Sequence, residues 1–308
     1  MMTGAVWSDH TFSPQIAEIE GVIVSGIETK MNTPVWLITG ASSGLGHALA
    51  SAVLQHGHRA VLTARNTASI ETLESGYPAA ALVEALDVTK PAQIAEVVRK
   101  AEAHFGSIDI LVNNAGVGYL AAVEEGDDDC IRWQFETNLF GPAAMIRAVL
   151  PIMRKRERGT IVNISSMAGF VSHAGMGYYA ASKFALEGLT EALWQEVEPL
   201  GLKVLLVEPG GFRTGIVQRN RVSEQIPAYA GTSGAFRSFV QNASEEVFEG
   251  DPARAAKVLI EVVESDQRSR RVVFGSDAYG AITSKVQALQ TEYEAGRSIA
   301  YSTDFLLK

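Results

Sequence analysis

The stretch GYYAASK, residues 177–183, sets two tyrosines and a lysine at a spacing that can do proton chemistry. On a helix, Tyr179 and Lys183 stand four residues apart and share one face. Tyr178 and Lys183 are five apart and diverge by about 140° around the axis. Tyr179 is therefore the partner for Lys183. A free phenol titrates near pH ~10 and is a poor acid–base group. A nearby ammonium favours the phenolate and lowers that value, which brings the phenol toward working pH. Taken alone, Y-x-x-x-K also occurs on ordinary solvated helix faces, so its meaning depends on what the rest of the chain places beside it.

A second cluster stands near the other end of the chain. TGASSGLG, residues 39–46, follows the apolar run VWLIT and opens a helical pattern. Gly40, Gly44 and Gly46 permit a tight turn and a close approach of backbone to ligand. The N–H groups of the following helix face a diphosphate placed there. The spacing is G-x-x-x-G-x-G, unlike the G-x-G-x-x-G of the general dinucleotide fingerprint. The next strand ends AVLTARN. A site for NAD wants an acid at that end to bond the ribose 2′-hydroxyl. Ala64 stands there instead, and Arg65 follows, able to pair with a 2′-phosphate. Ser42 and Ser43 add hydroxyl donors. The residues thus favour NADP(H) over NAD(H).

Both clusters need a scaffold that brings strand ends together. Apolar runs at 35–39, 60–64, 80–88, 109–116, 160–166, 203–210 and 270–275 alternate with helical patterns, the longest at about 128–156 and 177–199. PAQIAEVVRKAEAHFG (91–106) has proline where a helix begins and glycine where one ends. Such alternation implies βαβ units and an α/β, doubly wound Rossmann fold with a seven-stranded parallel sheet flanked by helices. Ligands of such sheets bind at the carboxyl ends of the strands, where both clusters fall. Residues 213–250 break the alternation and read as a substrate lid. Residues 31–308 read as a single domain. Residues 1–30, with four acids and one lysine, read as a poorly ordered extension and not as a secretion signal.

Composition narrows the function classes. The 308 residues are 47% hydrophobic and 20% charged, with a formal net charge of −9, which argues against nucleic acid as a partner. No apolar run reaches the ~18 residues of a membrane span. A single cysteine, Cys130, cannot form an intrachain disulfide, and no histidine or cysteine spacing suits a metal. A reducing, cytoplasmic setting is expected.

TGASSGLG, NNAG (113–116), Asn138 in TNLFG, NISS (163–166), YAASK (179–183) and PGGFRT (209–214) occur in this order at intervals that resemble the classical short-chain dehydrogenase/reductase (SDR) family. The resemblance covers about residues 34–275. The segments GDPARAAKVLI (250–260) and FGSDA (274–278) are similar to the bacterial branch near retinol and 17β-hydroxysteroid dehydrogenases.

The resemblance implies an oxidoreductase acting on CH–OH groups, which interconverts a ketone or aldehyde and an alcohol with Asn138, Ser166, Tyr179 and Lys183 as the catalytic set. It selects Ser166, thirteen residues before Tyr179, over Ser165, and gives Asn138 a water in a proton relay to Lys183. It places Gly40, Ser42, Ser43, Gly44, Leu45 and Gly46 on the cofactor, Asp87 and Val88 at its adenine, and Asn114 beside its ribose. Pro209, Gly210, Phe212 and Thr214 fall near the nicotinamide, with Tyr179 and Lys183 also touching the cofactor. By residue type alone Asp87 is equally a strand-end turn residue, and Asn113 and Asn114 are equally turn formers. His173 lies where family members shape the substrate pocket. Phe170, Tyr119, Phe212, Phe236 and Phe239 could wall an apolar one. A homo-oligomer, dimer or tetramer, built on the two long helical stretches is implied as well. The rival readings are a non-catalytic NADP sensor on the same fold and an epimerase or dehydratase. Epimerase and dehydratase relatives carry a G-x-x-G-x-x-G turn, which TGASSGLG does not match.

Overall fold

Alternation within the first strand shows how the sheet is buried. In β1 (Val35–Thr39), Trp36 and Ile38 point to one face and Val35 and Leu37 to the other, and all four are fully buried. The two sets join two separate apolar clusters, one on each side of the sheet. A strand buried on both faces belongs inside a parallel sheet covered by two helical layers.

The computed structural model describes residues 33–215, 219–265 and 269–305. The extension expected at residues 1–30 lies outside them. The described residues from Val35 onward form one compact unit. Its strands are β1, β2 (Arg59–Ala64), β3 (Ala81–Ala85), β4 (Ile110–Asn113), β5 (Tyr119–Leu120), β6 (Thr160–Ile164), β7 (Lys203–Pro209), β8 (Arg221–Val222) and β9 (Arg271–Phe274). Seven of them form one parallel sheet in the order β3-β2-β1-β4-β6-β7-β9, as the sequence implies. The chain reverses its direction of travel across the sheet between β1 and β4, the switch point beside which such folds bind ligands.

The helices that matter here are α1 (Gly44–Gln55), α2 (Glu71–Gly76), α3 (Pro91–Phe105), α4 (Asp128–Phe135), α5 (Gly141–Lys155), α6 (Gly177–Val197), α7 (Ala235–Asn242), α8 (Pro252–Glu264) and α9 (Ser276–Ala295). The boundaries of α3 follow the sequence signals: Pro91 opens it, and Gly106 closes it in the left-handed region at φ 76°. The helical pattern at 128–156 is not one regular helix. A π-turn over Glu136–Phe140 joins α4 to α5 and carries Asn138 at its centre. Such turns loosen the hydrogen-bond ladder and recur at functional sites.

The segment 213–250 has closed ends. Gly250 N donates to Gly211 O at 3.0 Å, and Arg213 N donates to Gly250 O at 3.1 Å. Between those ends β8 pairs in parallel with β5, and α7 packs inward through Arg237. The Arg237 guanidinium bonds the buried Glu125 carboxylate and donates to Ser223 O at 2.9 Å. Glu125 also accepts from the backbone N–H groups of Ala122 and Ile226. These bonds hold its carboxyl at about 2, against the opposing effect of burial.

Candidate active site

Helix α6 meets the end of β6 through side chains one turn apart. The Ser166 hydroxyl lies near enough to the Tyr179 phenol to offset part of the effect of burial on it. Lys183 Nζ, buried, donates to the carbonyl of Ile164 at 2.9 Å. Ser166 also accepts from Ala168 N at 3.1 Å and caps the short turn Met167–Gly169, which fixes where its hydroxyl points. The structure thus brings Ser166, Tyr179 and Lys183 together. Tyr178 turns away and donates to Val123 O at 2.7 Å, as the five-residue spacing requires.

Burial governs the charges here. It lowers Lys183 to about 8, with the negative charge of Glu187 opposing the fall. It holds the Tyr179 phenol above its ordinary value, with the Ser166 hydroxyl opposing. Lys183 Nζ, whose charge would act in the opposite direction, lies 6.0 Å from the Tyr179 ring centroid.

Asn138 stands beside this group as a helix-interior polar residue with structural partners. Its Oδ1 accepts from Val117 N at 2.9 Å, and its Nδ2 donates to Val117 O at 2.9 Å and to Ser182 Oγ at 3.1 Å. The side chain is therefore committed to protein partners. A Cβ built on Gly116 would lie 3.6 Å from Asn138 Oδ1 and 3.8 Å from Lys183 Nζ, so the two residues flank one small space.

The glycine-rich turn packs against two neighbouring strand ends. Gly40 and Gly44 adopt φ of 70° and 57°, a region that side chains disfavour. A Cβ on Gly46 would fall 2.3 Å from Asn114 Nδ2 and 2.4 Å from Gly40 O. A Cβ on Gly44 would press on Thr214, so the 209–214 loop lies directly over the turn. Ser43 precedes α1 and makes no cap of its own, which leaves the N–H groups of that terminus facing outward. Leu45 turns inward and packs on the core. The cradle has the backbone form a diphosphate needs.

Other expected cofactor residues serve the scaffold in the first instance. Asn114 Nδ2 donates to Thr39 O at 2.9 Å and to Gly40 O at 3.1 Å, so it ties β4 to β1. Asp87 accepts from Thr89 N and Thr89 Oγ1 at 3.0 and 2.8 Å, the turn alternative read from its residue type. Val88 is buried and meets Gly141 at the start of α5. Pro209 ends β7, Gly210 N donates to Phe274 O at 2.8 Å, and Phe212 is buried. Arg65, just past the end of β2, is exposed and has no ion-pair partner among the described residues.

Sequence reasoning missed two residues. Arg219 donates to Ser43 Oγ and, at 2.8 Å, to Thr214 O, so a cation from segment 213–250 sits at the mouth of the turn. Nothing in its local sequence marks it. Glu187, one turn beyond Lys183, is the second; its spacing from Tyr179 was the available signal. On the substrate side, the His173 ring stacks on Phe236 of α7 with centroids 5.7 Å apart. Tyr119 is buried with its hydroxyl engaged by Glu125 and Asp127, and Phe239 lies exposed.

His56, His58 and Glu264 also come together, away from these strand ends. The Trp36 indole N–H donates to His58 Nδ1 at 3.0 Å. An indole can only donate, so the His58 proton sits on Nε2, which faces Glu264 Oε1 at 2.9 Å. Neither His58 nitrogen then keeps a lone pair for a metal. The trio is a clasp between the start of β2 and the end of α8.

The family model for short chain dehydrogenases matches residues 34–225. The chain belongs to the short-chain dehydrogenase family. It is 34% identical over 277 residues to Oxidoreductase BOA17 of Botryotinia fuckeliana, covering 88% of this chain and 99% of that one. It is 41% identical to the 3-ketodihydrosphingosine reductase of Bacteroides thetaiotaomicron over 63% of this chain and 70% of that one. The crystal structure of a short-chain dehydrogenase from Streptomyces avermitilis superposes with a TM-score of 0.82 at 40% identity, covering 88% of this chain and all of that one. Two further family structures were solved with cofactor. One, from Burkholderia phymatum, holds NAD (TM-score 0.73, 25% identity, covering 86% and 96%). The other, a metagenomic short-chain oxidoreductase, holds NADP (TM-score 0.62, 28% identity, covering 78% and 96%). The chain is thus an SDR oxidoreductase with a nicotinamide-binding Rossmann fold. Among its described residues no helix is long and apolar enough to cross a membrane.

Proposed function

We propose that this SDR interconverts a ketone or aldehyde and its alcohol, with NADP(H) preferred and Tyr179 as the acid–base group. The observation that carries the reading is the convergence of Ser166, Tyr179 and the buried Lys183 at the carboxyl end of β6, beside the glycine-rich turn. A carbonyl that is reduced gains negative charge on oxygen. The Ser166 hydroxyl can bond that oxygen, and Tyr179 can give it a proton. Lys183 keeps a positive charge behind the phenol, which steadies the phenolate left once the proton has gone. Asn138 holds the 116–117 backbone beside Lys183 and completes that wall. The nicotinamide, when bound, supplies or accepts the hydride.

The cofactor preference rests on Arg65, with Arg219 as a second cation. Arg65 is exposed at the end of β2, without an ion-pair partner among the described residues, where an acid would select NAD, and its fork suits a 2′-phosphate. Asp87, Val88 and Asn114 shape the floor on which adenine and ribose rest; Pro209, Gly210, Phe212 and Thr214 shape the nicotinamide end. The substrate is a small molecule with an apolar body, admitted beside the stacked rings of His173 and Phe236. The 3-ketodihydrosphingosine reductase among the relatives is in keeping with that class. The test is consumption of NADPH or NADH with a panel of aldehydes, ketosteroids, retinal, long-chain ketones and quinones. NADPH consumed in proportion to alcohol formed supports the reading; cofactor retained unchanged with every compound opposes it.

A further inference from the structure

Helix α6 carries a third side chain in line with Tyr179 and Lys183. Glu187 stands one turn beyond Lys183, and its side chain is nearly as buried as the core. Its Oε1 accepts from Ser165 Oγ at 2.8 Å. Lys183 and Glu187 therefore engage Ile164 and Ser165, consecutive residues at the end of β6 that lead into Ser166 beside Tyr179. The turn after Ser166 closes tightly on this contact: a Cβ on Gly169 would lie 2.1 Å from Glu187 Oε1 and 2.5 Å from Ser165 Oγ.

The other face of Glu187 meets charge from two strands. Arg271 of β9 donates through one nitrogen, Nη1, to Glu187 Oε2 and to Glu208 Oε1 of β7, both at 2.8 Å. Its Nη2 reaches Glu191, which is half exposed. The groups facing Glu187 are thus Arg271, Glu208, Ser165 and, on its own helix, Lys183 and Glu191. Two cations, Lys183 and Arg271, stand against three carboxyls. Burial raises both buried carboxyls, Glu187 to about 7, so the Glu187 charge is present in the range where Lys183 titrates and is lost as pH falls below it.

We propose that Glu187 is a positioning residue for the reaction: it ties the Ser165–Ser166 turn to helix α6 and supplies the counter-charge that keeps the Lys183 ammonium charged inside the protein. The proposal rests on the assignment of Tyr179 and Lys183 above. If the Glu187 charge is lost, Lys183 gives up its proton at lower pH, and the phenol beside it becomes harder to ionise. A merely structural glutamate would not move the Tyr179 titration.

The experiment compares the wild type with Glu187→Gln and Glu208→Gln. Glutamine keeps the acceptor for Ser165 and removes the charge. The first readout needs no substrate: the ultraviolet titration of Tyr179, taken as the difference between each protein and its Tyr179→Phe counterpart. The second is the pH profile of alcohol oxidation. Glu187→Gln should move both toward alkaline pH by about one unit and lower kcat about tenfold, with NADPH affinity kept. Glu208→Gln removes the repulsion on Glu187 and should leave the titration in place or move it toward acid. A Tyr179 titration unmoved by Glu187→Gln overturns the proposal, as does an alkaline shift in both variants, which marks general damage to the cluster. A shifted titration in a protein that turns over no compound supports the positioning role while the reading of the reaction fails.

Discussion

Lys183 Nζ donates to the Ile164 carbonyl at 2.9 Å, two residues before the serine that stands beside Tyr179. A buried ammonium spent on a backbone carbonyl fixes the distance between helix α6 and the end of β6. The positions of the serine, the phenol and the cation are then one geometric fact and not three. Changes at this contact should affect chemistry more than folding, because the helix is also held by Leu186, Leu193 and Val197 in the core.

Gly46→Ala should disable the cofactor cradle. The added Cβ would meet Asn114 Nδ2 at 2.3 Å and Gly40 O at 2.4 Å, and neither can move without opening the β1–β4 junction. Overpacking of this kind costs about 1–3 kcal/mol. Thermal unfolding and NADPH titration should show a lower Tm together with weaker binding. An unchanged affinity would place the cofactor elsewhere.

Arg65→Ala should reduce NADPH affinity about tenfold to a hundredfold and leave NADH nearly untouched, since a charge-assisted bond is worth about 1.5–3 kcal/mol. Fluorescence titration with both cofactors reads this directly. Equal losses for the two would contradict a 2′-phosphate contact.

Glu125→Ala should loosen segment 213–250. Its carboxylate and the Arg237 guanidinium form an almost fully buried pair, and removing one partner strands the other at a cost of about 3–5 kcal/mol. The pH dependence follows from the sign of the shift. The folded value, about 2, lies below the ordinary 4.5, so the stabilisation is complete above 4.5 and is lost as pH falls toward 2. Proteolysis within 219–250 should accelerate over that window in the wild type, and at neutral pH in the variant.

Phe184→Glu should weaken self-association. Phe184 on α6 and Phe140 at the start of α5 are 47% and 53% exposed and suit burial against a second copy. Light scattering on the eluting wild type should give a dimer or tetramer, and on the variant a smaller species. A monomeric wild type would contradict the expectation.

The sequence made the scaffold legible because its signals were redundant. Val35–Ile38 is apolar at every position, Pro91 and Gly106 bracket a helix, and seven strands leave few topologies. Tyr179 and Lys183 were legible because a helix turns four residues into one face. The π-turn at Asn138 was not, since one extra residue per turn leaves no mark in a hydrophobic pattern. Nor was Arg271, which joins Glu187, Glu191 and Glu208 over 63 residues or more of sequence. Residue types announce the charge of Lys183 beside Tyr179 but not how much water burial removes from around the phenol. Arg219 and the His173–Phe236 stack depend on the path of a long segment whose composition constrains it little.

The most direct test of the reaction is Tyr179→Phe, assayed for NADPH oxidation with whichever carbonyl compound the wild type reduces, and for NADPH binding in parallel. Removing one hydroxyl should lower turnover by about 10²–10⁴-fold while NADPH affinity stays within about twofold, since the phenol's loss leaves the glycine turn and Arg65 in place. Turnover retained in the variant would contradict Tyr179 as the proton donor and, with it, the central claim.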